Sequence, residues 1–314
     1  MFLPICLRCS RFRLLASWRP RVPEGNRHMR IVQLSDTHIS HLGGIPGRNF
    51  SALVEYLNTV IRPDLVINTG DLVILNPDSA EDRQAAWRLH QEIQAPLLVL
   101  PGNHDVGESA DEPWMGIAVT SGRVAGYVRT WGPDRFFRLG SAATGSAGWA
   151  FIGINSERMS SGLPEEDEQW EWLADVAAQV RGKSVMLFLH KPLWFPGGSR
   201  SGITIPARDR ERLISLFAGA RLRVVANGHL HRYRRAFQGE ILAVWAPSLT
   251  FASPADTQHG LNPSPAGIVE YDVDGDAVHA AFRPVPGLEG VTDAYAMPEF
   301  TAGLAELGAL RVLP

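Results

Sequence analysis

A chain of 314 residues with 45% hydrophobic and 20% charged side chains and a mean hydropathy of −0.06 has the profile of a globular protein with a sizeable core. These figures exclude a disordered chain, a collagen-like repeat and a coiled coil. No apolar run reaches the roughly 18–20 residues that a membrane-spanning helix needs, so a soluble, cytoplasmic protein without a membrane partner is expected. The net charge of −3 is uneven, because residues 1–28 hold six arginines against one acid, Glu24, which leaves −8 on the remainder. An acidic body lacks the basic footprint of a protein that grips long nucleic acid, and no nucleic-acid partner is expected.

Both cysteines, Cys6 and Cys9, fall in this leader. A single C-x-x-C with no second pair and no βαβ context carries no metal or redox reading. Residues 1–28 read as a disordered Arg-rich leader, either a targeting peptide or the product of a start placed upstream of Met29. A catalytic domain over residues 29–286 and a tail over 287–314 are expected to follow it.

From residue 30 strands and helices alternate. Residues 30–35 (RIVQLS) form an apolar run ending at Asp36-Thr37-His38. After a glycine-rich loop at 43–47, Phe50, Leu53, Val54, Leu57, Val60 and Ile61 recur on one helical face. Residues 65–68 (LVIN) make a second strand that ends at Gly70-Asp71. Ser79 with Asp82 reads as a capping box for a helix that buries Ala86, Leu89 and Ile93. Residues 97–100 (LLVL) make a third strand, ending at Gly102-Asn103-His104-Asp105. The stretch 106–148 is read as irregular, with the length of a lid or binding loop.

Residues 149–154 (WAFIGI) form the next strand. Pro164 with Glu165, Glu166 and Asp167 opens a helix whose first turn is acidic, as the helix dipole favours. Residues 184–189 (SVMLFL) are a strand ending at His190, residues 208–218 a helix, and residues 222–226 a strand ending at Gly228-His229-Leu230-His231. Two β-rich segments, 234–247 and 267–282, follow, the second with an Asp274-Gly275 turn. The tail from 287 offers no recognisable element, and no internal repeat occurs.

Five apolar strands thus end in Asp, His or Asn: Asp36 and His38, Asp71, Asn103 and His104, His190, and His229 with His231. In an open α/β sheet ligands bind outside the carboxyl ends of strands, so these eight side chains are expected at one rim. Each alone has a bland reading, Asp71 as a turn residue, Asp36 as an N-cap, any one histidine as a satisfied surface or core group. Together they make a nitrogen and oxygen donor set without sulfur, suited to Mn, Fe, Zn or Co. Seven candidate ligands exceed what one ion takes from a protein. They suit two ions sharing a carboxylate, and Asp71 is the natural bridge. His28, His41, His90, His259 and His279 lack such a setting and read as structural or surface residues.

The series D-x-H, GD, GNHD, H and GH-x-H, carried here by Asp36-Thr37-His38, Gly70-Asp71, Gly102-Asn103-His104-Asp105, His190 and Gly228-His229-Leu230-His231, resembles the calcineurin-like metallophosphoesterase superfamily. All five blocks stand in order over about 200 residues. The resemblance implies an α/β fold, a four-layer α/β/β/α sandwich with two mixed β-sheets, and a dinuclear site hydrolysing a phosphoric ester by attack of a hydroxide held between the ions. It implies that Asp36, His38, Asp71 and His231 hold one metal and Asp71, Asn103, His190 and His229 the other. His104 then faces the phosphate as the catalytic residue.

Within the superfamily the chain is most similar to class III cyclic-nucleotide phosphodiesterases, on the short Gly70-Asp71-Leu72-Val73, the Pro101–Asp105 run, the stretch from Gly162 to Trp172-Leu173, and Pro247-Ser248. Phosphoprotein phosphatases carry GD-x-x-D-R-G, where this chain has Ile74 and Leu75, so the group supporting His104 is not evident. Lys191 follows His190 where relatives often have a second histidine, and it reads as a solvated lysine. Trp194 and Trp245 could stack on a base, but packing is their expected use. A cyclic nucleotide or similar small phosphodiester is the expected substrate. A DNA-repair-type nuclease or phosphomonoesterase is the alternative, and a noncatalytic scaffold is disfavoured by the unbroken ligand blocks.

Overall fold

The computed structural model describes residues 28–196, 198–252 and 264–308. The Arg-rich leader with its two cysteines, and His259, lie outside them. The elements in chain order are β1 (Met29–Leu34), α1 (Gly44–Tyr56), β2 (Leu65–Asn68), α2 (Ala80–His90), β3 (Leu97–Val99), α3 (Asn103–Val106), α4 (Ser121–Trp131), β4 (Phe136–Leu139) and β5 (Trp149–Gly153). They continue with α5 (Pro164–Gln179), β6 (Ser184–Leu189), α6 (Ala207–Leu216), β7 (Arg221–Asn227), β8 (Arg234–Gln238), β9 (Ile241–Trp245), β10 (Ile268–Asp274), β11 (Ala277–Arg283) and α7 (Pro298–Glu306).

The strands build two mixed sheets, one of five strands in the order β11-β10-β1-β2-β3 and one of six in the order β4-β5-β6-β7-β9-β8. In the first, β1, β2 and β3 run parallel while β10 and β11 are antiparallel additions. In the second, β5, β6, β7 and β9 run parallel between the antiparallel edges β4 and β8. Central strands buried on both faces read as continuous apolar runs, and alternate side chains serve different layers. On β1, Ile31 packs between the sheets and Val32 and Leu34 pack under α1, α2 and α4. On β6, Met186 and Phe188 face the other sheet, whereas Val185, Leu187 and Leu189 pack under α5 and α6. The expected four-layer α/β/β/α sandwich is the result.

Several elements differ from the expectation. The face of α1 continues into one π-helical turn, Leu57–Ile61, in which Arg62 N donates to Leu57 O at 2.8 Å. The wider turn buries Leu57 and Ile61 but swings Val60 out to 62% exposure, so Val60 leaves the apolar face. The capping box at α2 is half made: Ser79 Oγ accepts from Asp82 N, whereas the Asp82 carboxylate turns to His41, accepting from its backbone N and bonding its ring. The stretch 106–148 contains α4, capped by Thr120, whose Oγ1 accepts from Arg123 N, and the edge strand β4. The tail holds α7, with Pro298 in its first turn, packed on Ile74, Leu75 and Phe251.

One polar cluster is buried between the sheets. Gln33 Nε2 donates to Thr69 Oγ1 and Asn227 O, and its Oε1 accepts from the Tyr271 hydroxyl at 2.7 Å. It ties β1, β7 and β10 together just behind the strand ends. A buried acceptor that loses its donor costs more than the bond itself. Tyr271→Phe is expected to lower unfolding free energy by about 1–2 kcal/mol, read as a lower urea midpoint with an unchanged slope.

Candidate metal centre

The carboxyl ends of β1, β2 and β3 meet those of β6 and β7 along one edge, and the eight singled-out side chains converge there. The backbone turns sharply to aim them. Asp36, His38, Asp71, His229 and His231 all adopt left-handed φ, between 49° and 70°. Such values are uncommon outside glycine, and Asp and His tolerate them better than most. The turns remain hydrogen-bonded: Asp36 N donates to Gly70 O, His38 N to Asp71 O and Ile39 N to Leu72 O. Ser248 Oγ donates to Asp36 O and Thr250 Oγ1 to Thr37 O, bracing the same loop from the other side.

The donors form two groups that share Asp71. Asp36, His38, Asp71 and His231 make one, and Asp71, His190 and His229 the other, with ligand atoms in each within 4.8 Å of one another. In the first, His231 Nε2 lies 3.1 Å from Asp36 Oδ1 and 3.0 Å from His38 Nε2. In the second, His190 Nε2 lies 3.3 Å from Asp71 Oδ2, 3.1 Å from Asn103 Oδ1 and 3.2 Å from His229 Nδ1.

The outward nitrogens fix which ring atoms face in. His190 Nδ1 bonds Thr69 O, His231 Nδ1 bonds Phe251 O, and His229 Nε2 bonds Gly202 O. A carbonyl only accepts, so each of those nitrogens carries the proton and the other presents a lone pair inward. In those neutral tautomers the lone pairs of His190 and His229 face each other beside carboxylate and amide oxygens, an arrangement that calls for a proton or a metal ion between them. Burial, reinforced by the neighbouring imidazoles, holds His38 and His229 well below the ordinary histidine pKa, in the neutral form that ligates. Burial would raise Asp71, yet His104 and His190 hold its carboxyl well below the usual range. Burial likewise opposes a second proton on His190, but with no ion beside it the Asp71 charge overrides burial and pushes the group up to about 10, so an ion bound there takes the place of the proton on Nε2. The cluster draws positive charge, and its donor set fits two divalent ions.

His104 stands beside this set. Its Nδ1 donates to Ile74 O at 2.8 Å, which points Nε2 toward the Asp71 carboxylate, 3.8 Å away. The group supporting His104 is thus a backbone carbonyl at the first of the two positions where phosphoprotein phosphatases carry Asp-Arg. Asp105, quoted within its block but given no role from the sequence, accepts from Gly102 N, Leu72 N and Val73 N. It locks the Asp71 turn to the Asn103 turn, while burial and the Asp71 charge push it up to about 7.

Lys191 corrects the solvated reading. It is 2% exposed, with Nζ 2.9 Å from Glu157 Oε2 and 3.6 Å from Glu108 Oε1. A lysine buried beneath the 108–114 loop needs ion-pair partners, and Glu157 and Glu108 supply them. Trp194 packs in the outer core layer, as expected, whereas Trp245 stacks on Phe195 at 5.9 Å and also lines the cavity. The site opens into a cavity of about 370 Å³. Residues that the motifs did not mark form its wall: Trp114, stacked on His104 at 5.5 Å, and Phe195, Leu230, Arg232 and Phe300.

Two sheets with a shared-carboxylate donor set at their strand ends define a dinuclear metal hydrolase of the phosphoesterase class. The model of the family described as calcineurin-like phosphoesterase matches residues 29–233, and the chain belongs to that family. A probable glycerophosphodiester phosphodiesterase, GpdQ of Arcobacter nitrofigilis, is 26% identical over 72% of this chain and 79% of its own length. The serine/threonine-protein phosphatase CPPED1 of Danio rerio is 30% identical over 54% of this chain, and the chain spans about half of that relative, 55%. Among solved structures, GAP50, the anchor in the inner membrane complex of Plasmodium, matches with a TM-score of 0.60 at 14% identity over 83% of this chain and 86% of that one. A dimetal phosphatase from Danio rerio matches at 0.54 and 10% identity, over 82% and 96%. These two likenesses are of fold. The protein is a metal-dependent phosphoric ester hydrolase, and among the described residues no helix is long and apolar enough to cross a membrane.

Gly102 shows how closely the blocks approach. A Cβ there would collide with the Asp71 carboxylate and crowd the His190 ring. Gly102→Ala is expected to displace Asp71 and cut bound divalent metal at least severalfold, measured by elemental analysis of purified protein, with folding checked by circular dichroism.

Proposed function

We propose that the protein hydrolyses a small phosphodiester, a cyclic nucleotide or an ester of that size. In this reading Asp36, His38, Asp71 and His231 hold one divalent ion, and Asp71, Asn103, His190 and His229 the other. Ions so held supply Lewis-acid activation of water and neutralise charge developing on the phosphoryl oxygens. Asp71 keeps both donor groups in register through Oδ1, which accepts from His104 N at 2.9 Å. His104, oriented through Nδ1 by Ile74 O, turns Nε2 toward the leaving oxygen and, as the imidazolium beside the Asp71 carboxylate, delivers the Nε2 proton to the departing alkoxide, returning to the neutral ring.

The observation that carries this reading is the cavity next to the donor set. At about 370 Å³ it has the size of a small-molecule pocket, and aromatic side chains wall it. Apart from histidines, Arg232 is the one cationic side chain among the described residues that line it. A wall so poor in cations, with Glu108 and Glu112 also in it, offers no extra positive groups for the near-double charge of a monoester at neutral pH. Among the described residues it also lacks the row of lysines and arginines with which nucleic-acid enzymes follow a strand. The similarity to a probable glycerophosphodiester phosphodiesterase supports a diester substrate.

The test is a panel of cyclic nucleotides, glycerophosphodiesters, p-nitrophenyl phosphate and single-stranded DNA with added Mn. The small diesters are expected to exceed the monoester and the DNA by at least about tenfold in kcat/KM, a ratio worth about 1.4 kcal/mol of transition-state binding. Preference for either of the latter overturns the reading. Asp71→Ala is expected to lose bound metal together with activity. His104→Ala is expected to keep its metal and lose about 10²–10⁴-fold in kcat. Loss of metal from the His104 variant would contradict its assignment as proton donor.

A further inference from the structure

Arg232 is a buried cation with no ion-pair partner among the described residues. The residue is 8% exposed, and its Nη1 is buried with no hydrogen-bond partner. Other buried basic side chains are committed: Lys191 to Glu157 and Glu108, Arg158 to Asp134 at 2.7 Å. A guanidinium keeps its charge at any physiological pH, so an unanswered N–H in a closed site is costly unless an arriving ligand satisfies it. Arg232 lines the cavity above the metal centre, one residue beyond His231.

The other lining residues bear on which part of a ligand it would meet. The phosphoryl group is served from the donor clusters and His104. Leu230, two residues before Arg232, packs with Phe195 and Trp245 as an apolar cluster, and all three line the same cavity. A flat or apolar alcohol portion laid along that wall would otherwise place its polar edge in a dry setting. The lone guanidinium fork supplies the donors there.

We infer that Arg232 is a specificity-determining residue that donates to acceptor atoms on the alcohol portion of the phosphodiester, beyond the reacting phosphorus. The inference rests on the small-diester reading above. It selects substrates whose alcohol carries a carbonyl oxygen or ring nitrogen at its far edge, for which the paired O6 and N7 of guanine are the best geometric match to a guanidinium. Alcohols without such acceptors gain nothing from it, and those with a fixed positive charge are repelled.

The experiment compares wild type with Arg232→Gln and Arg232→Lys on two probes, 3′,5′-cyclic GMP and diphenyl phosphate, whose phenyl groups carry no acceptor. For Arg232→Gln, kcat/KM on cyclic GMP is expected to fall at least tenfold more than on diphenyl phosphate, mainly through KM. The lysine variant recovers only part of the difference, because it restores charge without the fork. Titration calorimetry with 5′-GMP, the ring-opened product, is expected to show a parallel rise in Kd. Bound metal and melting temperature are measured in each variant to separate this from misfolding. An equal loss on both probes would move Arg232 to the phosphoryl oxygens, and no loss on either would remove it from substrate binding; both overturn the inference while leaving the diester reading intact. A wild type inactive on both diesters but active on monoesters overturns the two together.

Discussion

The carboxylate of Asp71 lies 2% exposed at the meeting point of two sheets, with Oδ2 within 4.0 Å of three imidazoles, those of His38, His104 and His190. A buried carboxylate needs positive charge, and the fold withholds the usual sources. Lys191 and Arg158 are close in sequence or space to the site, but each is neutralised by its own acid, Glu157 and Asp134. What surrounds Asp71 and Asp36 is instead a shell of histidines, most with one nitrogen tied to a backbone carbonyl and the other turned inward. The result is a cluster with two acids, ring nitrogens turned inward and, among the described residues, no lysine or arginine paired with either acid. Coulombic demand and donor geometry thus point the same way, toward divalent ions rather than an internal salt bridge.

Holding such a cluster requires the strand ends to approach one another more closely than side-chain-bearing backbone permits. Gly70, Gly102 and Gly228 each precede a site residue, and at each a Cβ would strike another block: the Gly102 backbone and His190 ring, the Asp71 carboxylate, and Ser35 with Asp36. The glycine of each motif is therefore a clearance for a neighbouring motif, not a local turn requirement alone. The left-handed φ of five site residues is the corresponding strain, and it is sustained by the loop-to-loop bonds from Asp36, His38 and Ile39 to the Gly70–Leu72 backbone.

The strand ends were readable because each block pairs a short apolar run with a polar group at a fixed offset, and the parallel topology then gathers those ends. The tautomers were not, since Thr69 O, Phe251 O and Gly202 O accept through backbone that no residue type advertises. The support for His104 escaped for the same reason: Ile74 contributes its carbonyl, and its side chain says nothing of it. Lys191 misled because a lysine's type favours solvent, and only the distant Glu108 and Glu157 decide otherwise. By contrast α4 left a usable signal in the Thr120 cap and the buried spacing of Val124 and Tyr127, masked by Gly122 and Gly126. Likewise α7 announced itself through Pro298 at its start with Phe300 and Leu304 at helical spacing.

Part of the cavity wall lies outside the family match, while Trp114, Phe195, Leu230 and Arg232 lie within it. All eight singled-out residues fall within the family match at 29–233, whereas Trp245, Phe251, Tyr295 and Phe300, which line the cavity, lie beyond it. The two parts still touch: the Phe251 ring packs against His38 at 4.5 Å and His231 at 4.7 Å, its carbonyl holds His231 Nδ1, and Phe300 packs on the Phe251 ring. The C-terminal helix thereby bears on the centre through one aromatic residue while shaping the space above it. A wall built from separate segments can change without moving a metal donor, which is how one scaffold serves esters of different alcohols. Phe251 marks the limit of that freedom, because a change there alters the orientation of His231 as well as the pocket.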